Sequence, residues 1–314
     1  MQVLERKYAR DLYIPELQLL YDYGEPVKVG NRETLEIINF ASVVTEPWHH
    51  CILLPSRRWN PWLALSEGLW ILAGRNDLAP LVRFNSNIVM FSDDDKTLYG
   101  AYGKRLYNQM EDLIGRLRKD PADRRAVLSI WTADDLTAQT KDPPCNDMVM
   151  FKLRENKLHM TVINRSNDIH WGLFAVNLPT FSLLQVYIAA RLGCEIGNQT
   201  HMSNSLHVYV DWPEPKRITE RMLFDEKEDK PIYPNHSLAF IPNEMKGMVH
   251  FKSSLSTSDI RFNSAIKYKL VFEIKFYQSQ YLCGSGNTQY LDKCPLRLNI
   301  AFRSPCYRVS LIIG

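Results

Sequence analysis

Closely spaced cysteine pairs are the first feature that this sequence lacks. Six cysteines stand at positions 51, 145, 194, 283, 294 and 306, with no CxxC pair and no spacing typical of zinc. This pattern argues against a disulfide framework or a structural zinc site and favours reduced thiols. We therefore expect a cytoplasmic protein that holds no metal.

Charge of one sign and long apolar runs are also scarce. The net charge of +3 is too small to suggest a nucleic-acid or membrane partner, although a few clustered arginines could still form a small anion site. No apolar stretch approaches the length of a membrane span, and residues 1–18 lack the apolar core of a signal peptide. We expect a soluble globular protein whose partners include neither a membrane nor a nucleic acid.

The elements that are present predict a mixed α/β chain, long enough for one large domain or two small ones. The spacing of apolar residues predicts helices over 61–75, 107–119 and about 179–192. Alternating or β-rich segments predict strands over 126–131, 148–153, 158–164, 206–210 and 267–278, with a turn at 155–156. We interpret residues 212–217 and 225–231 as exposed loops, and the last thirty residues give no clear element.

Turn and cap residues support the predicted helix boundaries. Asn60 suits the N-cap of the first helix, with Pro61 at its first position, and Gly74 helps to end it. The second helix stops at Asp120-Pro121, and the third stops at Gly193.

Cys145 stands in the polar segment DPPCND, directly before the apolar run MVMFKL. A structural cysteine would normally sit inside such a run, and the alternative interpretation is a small buried hydrophobe. A reactive thiol needs a cationic or hydrogen-bonding environment. Two pairs, Arg124-Arg125 and Arg165-Ser166, adjoin predicted strands whose ends could converge near Cys145, although an Arg-Arg pair is also common in solvated loops.

The cluster Arg165-Ser166-Asn167-Asp168 follows a predicted strand directly. Arginine and serine together suit an oxyanion such as phosphate, whereas serine, asparagine and aspartate equally suit a plain turn. Both interpretations stay open on the residues alone.

Four further polar residues stand in apolar surroundings. Glu67 lies inside an apolar helix, where a carboxylate is costly without a partner, so it is a candidate for a perturbed acid or base. His207 and Tyr209 are two residues apart on one predicted strand and therefore point to the same face. They could hold a sugar hydroxyl, and Asn177 is the fourth such residue, although satisfied core side chains remain the alternative.

Seven segments of the chain, taken in order, resemble the thymidylate synthase and pyrimidine nucleotide hydroxymethylase superfamily. They are LSEGLWILAGRND, YGAYGKR, DPADRRAVLSIW, PPCNDMVMFKL, NRSNDIHWG, VNLPTFSLLQVYIAARLG and LHVY, and the match covers roughly residues 30 to 212. Each segment alone would be weak evidence, but their common order makes the resemblance specific.

The resemblance implies an α+β fold in which a mixed, twisted β-sheet with flanking helices packs back to back in a symmetric homodimer. Residues 1–212 would form the catalytic core, and residues 213–314 would be the divergent C-terminal part of the same domain. The implied substrate is a pyrimidine nucleoside monophosphate, with 5,10-methylenetetrahydrofolate as the one-carbon donor.

The resemblance also implies catalytic roles. Cys145 matches the nucleophile that adds to C6 of the pyrimidine ring and so makes C5 nucleophilic. Glu67 and Tyr102 match the residues that manage protons and ordered water around the ring.

Substrate and cofactor contacts follow from the same matches. Arg165 and Ser166 match phosphate contacts, Arg32 matches an arginine of the phosphate-binding loop, and Arg124 and Arg125 match a pair that crosses the dimer interface to the partner's phosphate. His207 and Tyr209 match contacts to the ribose hydroxyl, and Asp168 matches the carboxylate that contacts the pterin of the folate. Asn177 matches the base-reading position, and its amide points to dUMP because cytosine-specific members have Asp there.

Three departures from the synthase pattern affect the expected product. Asn146 replaces the usual His after the nucleophile, so we place it with the catalytic residues. Trp171-Gly172 replaces a leucine-glycine pair, with one extra residue before Asn177, which places Trp171 at the cofactor site. The end, SPCYRVSLIIG, is not the short apolar tail that closes over the folate in synthases.

These departures favour water over hydride as the group that reaches the exocyclic methylene on C5. We therefore expect hydroxymethylation of dUMP, with methylation of dUMP to dTMP by a thymidylate synthase as the alternative. A catalytically silent nucleotide- or RNA-binding homologue is a further alternative. A thiol-dependent redox enzyme or hydrolase lacks a resolving CxxC pair and a convincing Cys-His-Asn order.

Overall fold

The computed structural model describes residues 1–47, 50, 52, 57 and 59–224, together with five short strands further along the chain. The contacts divide the chain into two compact units. The first unit comprises residues 1–233 and 239–245, and the second comprises residues 234–238 and 246–314.

A mixed eight-stranded sheet is the centre of the first unit. Its strands are β1 (Gln2–Arg6), β2 (Glu25–Val29), β3 (Arg32–Val44), β4 (Val127–Ser129), β5 (Asn146–Arg154), β6 (Lys157–Asn164), β7 (Asn167–Asp168) and β8 (Glu195–Tyr209). The main path is β1-β3-β8-β6-β5-β4, while β2 pairs with β3 and β7 pairs with β8. The β1–β3, β6–β8 and β7–β8 pairs are parallel and the others are antiparallel, so the sheet is mixed, as the family resemblance implies.

Helices flank this sheet. They are α1 (Arg10–Tyr23), α2 (Pro61–Leu72), α3 (Ala79–Val82), α4 (Tyr102–Lys119), α5 (Leu178–Leu192) and α6 (Pro213–Phe224), with short 3₁₀ helices at Ser86–Phe91 and Ala133–Leu136. Apolar side chains from α1, from β3 and β8 and from the segment before α5 form one buried cluster. The α+β class with a mixed sheet and flanking helices is therefore confirmed.

The predicted caps lie where the sequence places them. The Asn60 side chain accepts hydrogen bonds from the backbone N–H groups of Trp62 and Leu63 at the start of α2. Gly74 (φ +68°) and Gly193 (φ +74°) adopt left-handed backbone conformations after α2 and α5, which glycine adopts without steric cost. Glu155 and Asn156 both have positive φ and form the predicted turn between β5 and β6.

A π-helix at Ile169–Asn177 precedes α5, and the extra residue before Asn177 falls within it. At its end, the backbone N–H of Leu178 donates to the carbonyl of Leu173, five residues back, so the hydrogen bond spans one residue more than in an α-helix. Together with α5 it makes a continuous helical segment, Ile169–Leu192, whose 24 residues meet the length and composition of a membrane span. The expectation that no stretch reaches that length is therefore wrong, but 78% of an apolar 18-residue window of this segment is buried inside the fold, as in the core helix of a globular protein.

The structure corrects the sequence interpretation at two further places. Residues 212–217 were interpreted as an exposed loop, but 213–217 form the start of α6. Pro213 and Pro215 fit there because they lie in the first turn, where a missing N–H breaks no hydrogen bond. β8 begins at Glu195, well before the predicted residue 206.

Among its described residues, the second unit contains two small antiparallel sheets. One pairs Val249–Phe251 (β9) with Phe262–Ser264 (β10). The other orders Ile274–Tyr277 (β11), Arg297–Ile300 (β12) and Val309–Ile312 (β13). β11 falls inside the strand predicted over 267–278, whose other residues lie outside the described part of the chain, as does the loop predicted at 225–231.

Candidate active site

Antiparallel pairing of β5 and β6 brings Cys145 and Arg165 together. Asn146, the first residue of β5, pairs with Asn164, the last residue of β6, so the residues just beyond them are neighbours at one end of the sheet. The backbone N–H of Arg165 donates to the carbonyl of Cys145 at 3.0 Å. The predicted convergence of these two strand ends is confirmed.

The Arg165 guanidinium holds the cysteine loop in place. Its Nε donates to the carbonyl of Pro144 at 2.8 Å, and its Nη2 donates to the carbonyl of Pro143 at 3.2 Å. The same Nη2 lies 3.6 Å from the Cys145 Sγ, and Nη1 donates to Ser166 Oγ at 3.3 Å. Cys145 is exposed, so its Sγ faces both solvent and the permanent cation of Arg165.

Three acidic groups lie behind the cysteine. Tyr102 hydrogen-bonds the backbone of Cys145, and burial together with the charges of Cys145, Glu67 and Asp142 raises the pKa of its phenol well above the ordinary value. Burial and the nearby Asp142 raise the pKa of Glu67 to about 8. Burial raises the pKa of Asp142 to about 6, although the N–H of Gly100 donates to its Oδ2 at 2.8 Å. At neutral pH, Glu67 therefore keeps a proton that it can donate.

Asp142 is a site residue that the sequence reasoning missed, although it belongs to the same DPPCND segment as Cys145. Its position depends on Gly100, since a Cβ there would lie 2.6 Å from the Asp142 carbonyl oxygen. Gly100 and Asp142 are 42 positions apart in the chain, so no local sequence pattern indicates that they are in contact.

Asn146 is fully buried next to the cysteine. Its Nδ2 donates to Asn164 Oδ1, and the Asn164 amide donates in turn to the carbonyls of Val162 and Met202. The Oδ1 of Asn146 is buried and has no hydrogen-bond partner among the described residues. An acceptor of this kind is costly to bury unless a donor reaches it, so it is suited to a bound water or substrate group.

Asp168 and Trp171 lie together at the start of the π-helix. The Asp168 Oδ2 accepts a hydrogen bond from the backbone N–H of Trp171, so Asp168 is the N-cap. The other oxygen, Oδ1, is buried without a partner in the described part of the chain, and the Trp171 side chain is 47% exposed. The site thus presents a carboxylate oxygen able to accept a ligand N–H beside an exposed aromatic ring.

His207, Tyr209 and Arg32 form a second group beside Asp168. His207 pairs in register with Asp168, and its ring packs edge-on against Tyr209, with centroids 5.3 Å apart. Burial and the charges of Asp168 and Cys145 raise the pKa of Tyr209, whereas Arg32 lowers it. Trp212 extends the group, since the exposed Arg32 guanidinium lies over its ring at 4.6 Å.

The base-reading candidate Asn177 is buried at the end of the π-helix. Its Nδ2 donates to Asn167 Oδ1 at 3.0 Å, and Asn167 Nδ2 donates to Ser203 Oγ at 3.3 Å. Asn177 thus belongs to a buried hydrogen-bonded chain that reaches β8.

Arg124 and Arg125 lie apart from this site. They precede β4, whose antiparallel pairing with β5 puts them beside the far end of β5, where Lys152 Nζ donates to the Arg124 carbonyl at 2.9 Å. Both residues are exposed, and Arg125 pairs with Asp123. The expectation that this strand end converges near Cys145 is wrong within one chain, because antiparallel neighbours start at opposite edges.

The fold and the site define an α+β protein with an exposed cysteine held by an arginine at one end of a mixed sheet. A family model described as Thymidylate synthase matches residues 32–245, which is more than half of the chain. The chain belongs to the thymidylate synthase family, so the resemblance seen in the sequence is confirmed.

The relatives of this chain include deoxyuridylate hydroxymethyltransferases and thymidylate synthases. The chain is 36% identical over 217 residues to a deoxyuridylate hydroxymethyltransferase of Bacillus phage SP01, with 64% of this chain and 57% of the relative covered. It is 39% identical over 177 residues to a deoxyuridylate hydroxymethyltransferase of Pseudomonas phage M6, covering 54% and 50%. It is 32% identical over 176 residues to a thymidylate synthase of Symbiobacterium thermophilum, covering 49% and 60%. The chain thus spans half to three fifths of the length of these relatives.

Proposed function

We propose that this protein is a transferase that hydroxymethylates dUMP at C5 of the uracil ring. The observation that carries the proposal is the convergence of Cys145, the Arg165 cation and the acids Tyr102 and Glu67 at one end of the sheet. Two similar phage proteins named deoxyuridylate hydroxymethyltransferase support the choice of reaction.

Cys145 begins the reaction in this proposal. Its thiolate forms a bond to C6 of the uracil ring, and the electron pair of the C5–C6 double bond makes C5 a nucleophile. C5 would then form a bond to the one-carbon unit of the co-substrate, and loss of the C5 proton with departure of tetrahydrofolate would leave an exocyclic methylene on C5. Water adds to that methylene, and the Cys145 bond breaks to restore the ring double bond and the free thiolate.

The acids behind Cys145 move the protons in these steps. Protonated Glu67 donates towards the ring oxygen at C4 while C6 is attacked. Tyr102 is held on the Cys145 backbone with its phenol protonated, where it can order the water that accepts the C5 proton. Asp142 lies beside Glu67 and helps to keep it protonated, since two nearby carboxyl groups are not both ionised readily.

Binding of the nucleotide uses groups on both sides of Cys145. Arg165, Ser166 and Arg32 bind the phosphate as charge-assisted hydrogen-bond donors. His207 and Tyr209, on one face of β8, bind the ribose hydroxyl. Asn177 reads O4 and N3–H of uracil with its amide.

Methylenetetrahydrofolate is the co-substrate of this proposal and supplies a one-carbon unit at the oxidation level of formaldehyde. The residues fit such a group, because the buried and unpaired Oδ1 of Asp168 can accept an N–H of a pterin and Trp171 offers an exposed ring beside it. No metal is required.

A homodimer belongs to the same proposal, as does a cytoplasmic location. Exposed apolar side chains such as Ile38 (67% exposed) and Val127 lie on strands of the large sheet, which a second copy could cover. The exposed Arg124 and Arg125 would then reach the phosphate in the partner's site.

Methylation of dUMP to dTMP is the second candidate, supported by relatives named thymidylate synthase. Hydroxymethylation is preferred because polar groups, Asn146 Oδ1 and Asp142, lie next to the cysteine and can hold a water molecule there. Residues 304–314 replace the apolar tail of the synthases and were one reason to expect hydroxymethylation. The structure describes them only at β13, which pairs with β12 in the second unit.

Mass spectrometry of the product tests the proposal. Purified protein is incubated with methylenetetrahydrofolate and either dUMP or dCMP, with the Cys145→Ala variant as the control. We expect CH2O to be added to dUMP, and only by the wild-type protein. Addition of CH2 would establish the synthase reaction. Product from the Cys145→Ala variant would show that Cys145 is not the nucleophile. No product from either nucleotide would favour a silent binding homologue.

A further inference from the structure

Asn177 is held by a second asparagine in a buried chain of hydrogen bonds. Asn177, Asn167 and Ser203 are all buried, with exposed fractions of 6%, 2% and 1%. Asn177 Nδ2 donates to Asn167 Oδ1 at 3.0 Å, which uses one of its two N–H groups. Among the described residues the Asn177 side chain makes no other hydrogen bond, so its second N–H and its Oδ1 remain for a ligand.

Asn167 is fixed from two sides. Its Nδ2 donates to Ser203 Oγ at 3.3 Å, which ties the amide to β8. On the other side Gly172, within the π-helix, lets the backbone approach closely, because a Cβ at that position would lie 2.7 Å from Asn167 Oδ1. The Asn167 amide is therefore held between β8 and the π-helix, with its Oδ1 directed at Asn177.

The orientation of an asparagine amide decides which pyrimidine it reads. Uracil offers an acceptor at O4 and a donor at N3–H, whereas cytosine offers a donor at N4 and an acceptor at N3. An amide that turns by 180° about its last bond exchanges its oxygen and nitrogen, so the same asparagine could match either base. Asparagine at position 177 alone does not choose between them.

We infer that Asn167 is a positioning residue that selects uracil over cytosine by fixing the orientation of the Asn177 amide. Its Oδ1 accepts only a donor, so the Asn177 nitrogen must occupy the position nearest Asn167. The remaining edge of Asn177 then has one defined order of donor and acceptor. This inference rests on the proposed function, in which Asn177 reads the base, and adds the residue that fixes the reading.

The test is equilibrium binding of dUMP and dCMP to the full chain without folate, by calorimetry, for the wild type and three variants. Asn167→Leu removes the acceptor at similar volume, Gly172→Ala displaces Asn167 without changing its chemistry, and Asn167→Asp keeps an acceptor. We expect the preference for dUMP to fall about tenfold in the first two, the size of one lost buried hydrogen bond, and to persist in Asn167→Asp.

A matched control is Gln185→Leu, which removes another fully buried amide, one that donates to the carbonyls of Leu158 and Gly197. It should lower stability without changing the ratio of the two dissociation constants. If Asn167→Leu and Gly172→Ala weaken the binding of dUMP and dCMP equally, or if Asn167→Asp loses the preference for dUMP, the inference is overturned but the proposed function is not. A wild-type protein with no preference for dUMP would overturn it together with the uracil assignment in the proposed function.

Discussion

Glu16 is a single residue that should make the stability of the fold depend on pH. It is completely buried on α1, and burial raises the pKa of its carboxyl to about 8, against opposing effects of Ser42 and Arg6. In the unfolded chain the same group titrates near its ordinary value of 4.5. Between these two pH values the folded state holds a proton that the unfolded state has lost, so the free energy of unfolding decreases as the pH rises.

The Glu16→Gln variant should remove this dependence because an amide does not ionise. Its stability should be close to that of the wild type at pH 4.5 and exceed it by roughly 2–4 kcal/mol at pH 8. Urea unfolding at several pH values measures the difference, with the exposed Glu25→Gln as the control. A constant difference between the variant and the wild type across this range would contradict the prediction.

Glu67 should determine how the proposed reaction depends on pH. Because its pKa is raised to about 8, it is a proton donor at neutral pH and loses that capacity as the pH rises through 8. We expect kcat to decline above pH 8 in the wild type. The Glu67→Gln variant should be slower by about 10²–10⁴-fold and lack this decline. The measurement is kcat from pH 6 to 10, and a decline that survives in the variant would assign it to another group.

The sequence predicts the residues of the site better than their arrangement. Cys145 and Arg165 adjoin the ends of two strands joined by a tight turn, so their proximity follows from local pairing. Asp142 against Gly100, and Trp212 against Arg32, meet only after distant segments fold together. No local pattern encodes those contacts.

At the scale of elements, a buried chain of hydrogen bonds connects α6 to α1 through His170. His170 Nδ1 lies 2.6 Å from the Tyr13 hydroxyl of α1, and its Nε2 lies 3.0 Å from Thr219 Oγ1 of α6. Burial lowers the pKa of His170 to about 4, so the ring is neutral at physiological pH and can donate with one nitrogen and accept with the other.

The Thr219→Val variant should therefore lower the free energy of unfolding by about 1–2 kcal/mol, since it leaves one His170 nitrogen buried without a partner. Thr137→Val, at an exposed position, is the matched control and should be nearly neutral. Urea unfolding provides the comparison, and equal effects of the two substitutions would refute the contribution of this chain.

Helices and strands were predicted where apolar residues recur with a clear period. They were missed where the residues suit a loop as well as a helix or strand. α2, α4 and α5 have regular apolar spacing and clear caps, and their existence follows from these features. The prolines that begin α6 were interpreted as loop residues, although proline is favoured in the first turn of a helix. The early part of β8 is rich in small polar residues, which suit a loop equally well until the neighbouring strands β3 and β6 pair with it.

At the scale of the whole molecule, the proposed dimer makes a prediction about mixed subunits. If Arg124 and Arg125 complete the partner's site, neither Cys145→Ala nor the double variant Arg124→Ala/Arg125→Ala should be active alone. After the two are mixed and allowed to exchange subunits, each mixed dimer contains one intact site, and activity should return to about a quarter of the wild-type level. Activity that stays absent on mixing, while native mass spectrometry shows that mixed dimers have formed, would contradict the arrangement.

A mixed α/β chain was predictable from the order of its elements, and the α+β class came from the family resemblance. The proposed dimer does not follow from the residue pattern, because a residue that contacts a second copy would carry the same local signal as an exposed one. Arg124 and Arg125 illustrate this limit, since within one chain they are surface residues at the far end of β5.

The exposure of Cys145 next to a fixed cation also makes it a natural attachment point for a chemical probe. The half-buried Cys194 differs, because burial raises the pKa of its thiol to about 11 and leaves almost no thiolate at neutral pH. A mild alkylating reagent should thus modify Cys145 much faster than Cys194, as peptide mapping would show. A bound nucleotide would shield Cys145, so the rate of modification would report directly how much of the protein carries its ligand.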